Sequence, residues 1–247
     1  MQRYEETALL EHALRDPRLA SFYHDARPKL GSIQWEIDPL LEGAEGECIV
    51  NASGEQIIRL RTIPSSSAPW IVAHELGHLV LETDHYPQIW ALPPWHDATR
   101  YLCNVLEDLQ IERQLDTYGF DASEMYAEQD QLTYHALLDG TRFRADPIGN
   151  ANLAILFAKL QLQLEYIRAR RVAPISTHAI DLFAAGYPRA AALGYALVSL
   201  QHCYGFDTPG AALRVYRNAL DLLGLADIGH IIYHSQIPIE LTTYLRT

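Results

Sequence analysis

Residues 70–81, Trp-Ile-Val-Ala-His-Glu-Leu-Gly-His-Leu-Val-Leu, decide how the rest of the 247-residue chain is interpreted. The run is apolar apart from one glycine and three ionisable side chains, His74, Glu75 and His78. Ser67 is a good N-cap and Pro69 is tolerated in a first turn, so the pattern predicts a helix over residues 68–82. A helix that is apolar on most of its surface is expected to be buried in the core.

The spacing of the two histidines predicts a metal site. His74 and His78 are four residues apart, so on a helix they lie on one face, one turn apart. Their imidazole nitrogens can then reach one zinc ion at about 2.0–2.1 Å. Buried histidines beside a buried glutamate would be costly without such an ion. Glu75 is predicted to stay unbound to the metal and to take a proton from zinc-bound water.

A catalytic zinc needs a third protein ligand and one open position. The candidates lie on the next predicted helix, residues 98–116, which is apolar on two sides yet contains several carboxylates. Asp108 and Glu107 are alternatives for the third ligand: glutamate has the longer arm, but Asp108 shares a stripe with Asn104 and Glu112 at a spacing of four. That stripe allows Asp108 to bind the ion while Glu112, with Asn104 nearby, orients a histidine without touching the metal.

The remaining pattern predicts an α+β fold that is mostly helical. Strands are predicted at 33–37, 48–50 and 57–61, with a turn at 51–54 between the last two. Helices are predicted at 4–16, 151–171, 176–185, 190–202 and 209–223. Asp16-Pro17 is predicted to end the first of them.

Two regions are expected from this arrangement. Residues 1–145 would contain a small N-terminal sheet packed on the helix with the two histidines, and therefore the metal site. Residues 146–247 would form a helical region packed on that core as one unit. The weak boundary signal is the pair of turn dipeptides Asp139-Gly140 and Asp146-Pro147.

The amino-acid composition narrows the classes of partner that we expect. The chain has 31 acidic and 19 basic residues, a formal net charge of −12. Such a surface repels nucleic-acid backbones and anionic membranes, so neither is an expected partner. The three separate cysteines, the lack of a signal-peptide pattern and the lack of a long apolar run predict a cytoplasmic protein with reduced thiols. The oligomeric state is left open.

Two parts of the sequence resemble known zincin metallopeptidases. A predicted edge strand at 57–60 followed by 70–81 resembles the core of ImmA/IrrE-type peptidases. The second helix is similar to that of the His-Glu-x-x-His metallopeptidases found beside von Willebrand A domains, through Asn104, Glu107, Asp108, Ile111 and Glu112. The resemblance implies a zincin-like core in residues 1–145. It also implies zinc at His74 and His78 with a carboxylate from the second helix, and Glu75 as general base.

The expected function is therefore zinc-dependent hydrolysis of peptide bonds in a protein or peptide substrate. Two alternatives remain from the sequence. One is a regulatory or interaction module that keeps the metal-binding zincin fold without turnover. The other is a metal-dependent amidase that acts on a small molecule or a cell-wall fragment, for which a narrow pocket would be typical.

Overall fold

The computed structural model describes residues 2–41, 45–51, 53–64, 69–139, 147–170 and 177–233. The predicted class is confirmed at the coarse level, since the described chain is α+β and mostly helical with a small four-stranded sheet. The elements in chain order are β1 (Gln2–Tyr4), α1 (Glu6–Leu10), α2 (Pro17–Ala26), β2 (Ile33–Ile37), β3 (Gly46–Val50), β4 (Gln56–Leu60), α3 (Pro69–Thr83), β5 (Gln88–Trp90), α4 (His96–Asp116), α5 (Ser123–Leu138), α6 (Pro147–Ala169), α7 (His178–Gly186), α8 (Pro188–Tyr204), α9 (Pro209–Leu223) and β6 (His230–Ile232).

The contacts divide the chain into two units. The first comprises the described residues among 1–87, 110–120 and 232–247, and the second those among 88–109 and 121–231. The division passes through α4, which is one continuous helix. The boundary predicted between residues 145 and 146 lies outside the described residues, so that division stays a prediction.

The sheet of the first unit has the strand order β1-β2-β4-β3. β1 and β2 are antiparallel, β2 and β4 are parallel, and β3 and β4, the two strands on either side of the predicted turn, are antiparallel. β4 is thus paired on both sides, and Ile58 and Leu60 on it are almost completely buried. The expectation that residues 57–60 form an edge strand is therefore wrong. The parallel partner β2 pairs with the side of β4 that was expected to have no neighbouring strand. β3 is an edge strand of the sheet, and it lies next to α3.

The N-terminal segment also differs from the expected single helix over 4–16. Gln2–Tyr4 form β1, α1 ends at Leu10, and a single 3₁₀ turn follows at Ala13–Arg15. Asp16 begins α2 rather than ending a helix, since its carboxylate accepts the backbone N–H groups of Arg18 and Leu19. The aspartate–proline pair fits a helix start as well as a helix end, because proline is also favoured at the first helical position.

The other predicted helices are confirmed. α3 begins at Pro69, while the predicted cap Ser67 lies outside the described residues. The four C-terminal predictions correspond to α6, α7, α8 and α9 within a few residues at each end. In the second unit, α6, α7 and α8 bury an apolar cluster around Phe157 and Phe183. No described helix combines the length and apolarity needed to cross a membrane.

One long helix was not predicted at all. α5 (Ser123–Leu138) buries only Ser123 and Tyr126, so its sequence lacks a pronounced apolar stripe. A helix with so weak a stripe gives little periodic signal to sequence analysis. None of the residues proposed for the metal site lies on α5.

Candidate metal centre

The two histidines of α3 face the same side of the helix, as their spacing predicts. The ring centroids of His74 and His78 are 5.0 Å apart, and the ring planes are nearly perpendicular at 81°. Both residues are half-buried, so their rings are neither sealed in the core nor free in solvent. Glu75, between them on the helix, is only 6% exposed. The helix therefore presents two imidazoles and one buried carboxylate at a single turn.

The C-terminal part of α4 lies directly against this turn. A Cβ atom added at Gly77 would be 2.6 Å from Cγ2 of Ile111, a distance that real structures avoid. Glycine at this position is what allows the two helices to approach so closely. This contact places the C-terminal part of α4, which carries Glu112, beside the helix with the two histidines.

Glu112 is the carboxylate that contacts His74. Its Oε1 lies 2.9 Å from Nδ1 of His74, and its Oε2 accepts a hydrogen bond of 3.0 Å from Nε1 of Trp70. The side chain is 1% exposed. The first contact is formed by the His74 tautomer that has its hydrogen on Nδ1, with the carboxylate oxygen as the acceptor. The lone pair of the neutral ring is then on Nε2, which is the arrangement that a metal ligand requires.

The third candidate ligand is Asp108, one turn before Glu112 on the continuous helix α4. Single ligand atoms of His74, His78 and Asp108 all lie within 4.8 Å of one another. Glu107, the alternative, is directed elsewhere: it is 5% exposed, and its Oε1 accepts a hydrogen bond of 3.3 Å from the hydroxyl of Tyr216. Between the two alternatives that the sequence left open, the structure favours Asp108.

Asn104 completes the predicted stripe but stands apart from the other members. It lies one turn before Asp108 on α4, and its side chain is exposed to solvent. Its predicted role beside the metal ligands therefore stays a prediction. The stripe as a whole runs from an exposed amide through a half-buried aspartate to a fully buried glutamate.

The pKa values of two further side chains of α4 are raised in part by these carboxylates. Burial, and then the negative charge of Asp108, raise the pKa of Tyr101 to about 12. Burial, and then the charge of Glu107, raise the pKa of the Cys103 thiol to about 12. Burial therefore keeps the Cys103 thiol protonated near neutral pH, so it is a poor nucleophile there.

The edge strand β3 closes the other side of Glu75. A Cβ atom at Gly46 would lie 2.9 Å from both Cγ and Oε1 of Glu75. The backbone of β3 thus passes directly over the carboxylate. Gly46 could not be predicted from the sequence, because no local pattern links a glycine in a strand to a glutamate in a later helix.

Trp70 is the second contributor that sequence analysis missed. It lies four residues before His74, and the same spacing that paired the histidines would have placed it on their face of α3. Tryptophan does not bind metal ions, so this spacing alone gives it no role in a metal site.

No protein-family model matches the chain, and no match was found among curated proteins or solved structures. Any functional assignment consequently depends on the geometry of the site itself. That geometry is a pair of histidines on one helix, with an aspartate and a glutamate on a second helix, and a buried glutamate between the histidines.

Proposed function

We propose that the chain is a zinc-dependent metallopeptidase, with a zincin-like core, that hydrolyses peptide bonds. The supporting observation is that one ligand atom from each of His74, His78 and Asp108 lies within 4.8 Å of the others. Ligands of tetrahedral zinc are about 3.4 Å apart when the metal–ligand bonds are about 2.1 Å. Small side-chain rotations would therefore bring all three atoms to one ion.

The chemistry of the donors fits zinc as well as their spacing does. Two imidazole nitrogens and one carboxylate oxygen are a ligand set that zinc enzymes use, and three protein ligands leave the fourth position for water. Glu112 holds the hydrogen-bonding nitrogen of His74, which fixes the ring orientation. A bound zinc ion would supply a more acidic water and a polarised substrate carbonyl at neutral pH.

Glu75 is the general base in this proposal. Its carboxylate accepts a proton from the attacking water as the new C–O bond forms at the peptide carbonyl carbon. The same carboxyl then gives that proton to the amide nitrogen as the C–N bond breaks. The products are a carboxylic acid and an amine, which become a carboxylate and an ammonium group by transfer of one proton, and Glu75 returns to its ionised form. Its 6% exposure keeps bulk water away from the transferred proton.

The zinc content of matched variants tests the ligand set. Asp108→Asn and Glu107→Gln each remove one negative charge from adjacent positions of α4 without changing side-chain volume. We expect about one zinc per wild-type chain, at least tenfold weaker zinc binding in Asp108→Asn, and wild-type binding in Glu107→Gln. Elemental analysis after dialysis against a zinc buffer measures all three.

The outcomes separate the possible errors. A wild-type protein that binds no zinc would overturn the metal centre altogether. Loss of zinc in the Glu107 variant with retention in the Asp108 variant would show that Glu107, and not Asp108, is the third ligand. Circular dichroism melting curves confirm that each variant is folded before its zinc content is compared.

A further inference from the structure

Trp70 makes two separate contacts with the groups that surround the candidate ion. Its indole Nε1 donates a hydrogen bond of 3.0 Å to Oε2 of Glu112. Its ring lies against the His74 ring, with the centroids 4.8 Å apart and the planes inclined by 33°. A single side chain therefore contacts both the candidate ligand and the carboxylate that holds it.

The two contacts act on the same degree of freedom. Glu112 is 1% exposed, so water cannot replace a partner lost from its carboxylate. The indole N–H is a donor only, and it occupies one carboxylate oxygen while His74 occupies the other. With both oxygens engaged, the carboxylate cannot rotate away from His74. The indole ring meanwhile restricts rotation of the imidazole.

We propose that Trp70 is a positioning residue of the metal centre. It holds Glu112 and packs against His74, so that Nε2 of His74 is directed towards the ion before the ion binds. This inference rests on the proposed function, since it assumes that His74 is a metal ligand. Trp70 touches neither substrate nor reacting atoms in this role, and its effect is on metal affinity.

Cobalt(II) added to the metal-free, full-length protein is the probe. The visible absorption of the bound ion reports coordination independently of tryptophan. Trp70→Phe keeps an aromatic ring against His74 and removes the donor to Glu112. We expect its cobalt dissociation constant to rise about tenfold, the lower end of the effect of losing a partner outside the ligands themselves. Trp95→Phe, a half-buried tryptophan that precedes α4, is the control and should bind as the wild type does.

A double-variant cycle separates positioning from general stability. If Trp70 acts through Glu112, then adding Trp70→Phe to Glu112→Gln should weaken cobalt binding by less than about twofold beyond Glu112→Gln alone. A loss of structure unrelated to Glu112 would instead multiply the two effects. Melting curves recorded without metal show whether either single variant is unfolded.

Tryptophan fluorescence gives a second signature. Because the Trp70 ring packs on His74, bound cobalt should quench its emission. Most of that quenching should disappear in Trp70→Phe and remain in Trp95→Phe. If the wild type binds no cobalt, both the proposed function and this inference fail. If the wild type binds cobalt and Trp70→Phe binds it as tightly, or if the effects multiply, only the role of Trp70 is overturned.

Discussion

Two helix pairs in this protein use the same packing device for different purposes. In the first unit, Gly77 lets α3 approach Ile111 of α4. In the second unit, Gly194 lets α8 approach Phe157 of α6, where an added Cβ would be 2.7 Å from the phenylalanine ring. The two contacts are equally close, but their surroundings differ.

Around Gly194 the buried neighbours are apolar, and the cluster includes Leu153, Leu160, Phe183 and Ala190. Around Gly77 the buried or half-buried neighbours include two glutamates and two histidines. Burying charged and polar groups costs free energy unless they are paired, whereas burying the apolar cluster is favourable by itself. The α6–α8 contact therefore stabilises the fold, whereas the α3–α4 contact buries polar groups at a cost in stability, as the proposed metal centre would require.

The largest effect is expected from Glu75→Gln, which removes the base and keeps the shape of the side chain. Peptide hydrolysis, measured with an unfolded protein substrate, should fall about 10³-fold, because general acid–base catalysis contributes that much. Zinc content should be unchanged. Glu82→Gln makes the same replacement two turns later on α3, and it should retain wild-type activity. Full activity in the Glu75 variant would remove Glu75 as the base.

Alanine at the two glycines tests the comparison itself. Gly77→Ala and Gly194→Ala both insert a methyl group into a filled space, where overpacking costs about 1–3 kcal/mol against a gain in helix propensity of about 1 kcal/mol. We expect urea unfolding to show a net loss of up to about 2 kcal/mol in each variant. Gly210→Ala, in α9, meets no atom within 4 Å and should show no such loss.

The zinc affinities of the same variants should diverge. Gly77→Ala moves α3 away from the helix that bears Glu112, so zinc binding should weaken about tenfold. Gly194→Ala should bind zinc as the wild type does, once compared at a temperature where both are folded. Equal loss of zinc in both variants would show that the α6–α8 contact is not independent of the site, and the comparison would fail.

Local spacing accounts for what the sequence could predict of this site. His74 with His78, and Asp108 with Glu112, are each four residues apart, so helix geometry alone places each pair on one face. Burial of α3 followed from its continuous apolar run. The choice between Asp108 and Glu107 could not be made in the same way, because it depends on Tyr216, a partner far along the chain.

Pairing between distant segments accounts for what the sequence could not predict. The interior position of β4 depends on its parallel partner β2, and parallel partners leave no signal in the strand itself. The contact between Gly46 and Glu75 is of the same kind. The prediction that Asp16-Pro17 ends a helix was wrong for another reason, since that pair is compatible with either end of a helix.

An effect no larger than that of Gly77→Ala is expected at Gly46, whose nearest neighbour is a buried polar side chain. Gly46→Ala would place a methyl group 2.9 Å from Cγ and Oε1 of Glu75, so the carboxylate must move to relieve the contact. We expect kcat to fall about tenfold, since a small displacement of a catalytic group has effects of this order or larger. KM and zinc content should stay at their wild-type values, because the three atoms nearest to the new methyl group all belong to Glu75. Gly31→Ala, where the nearest atom is at 3.8 Å, is the matched control.

The division of the effect between kcat and zinc content is what makes Gly46 informative. If strand β3 only stabilises the sheet, Gly46→Ala should lower the melting temperature and change kcat no more than Gly31→Ala does. If the strand defines where the Glu75 carboxylate lies, kcat should fall at temperatures well below the melting transition. A loss of zinc in Gly46→Ala would instead mean that the strand supports the histidines, and Glu75 would lose its separate place in the site.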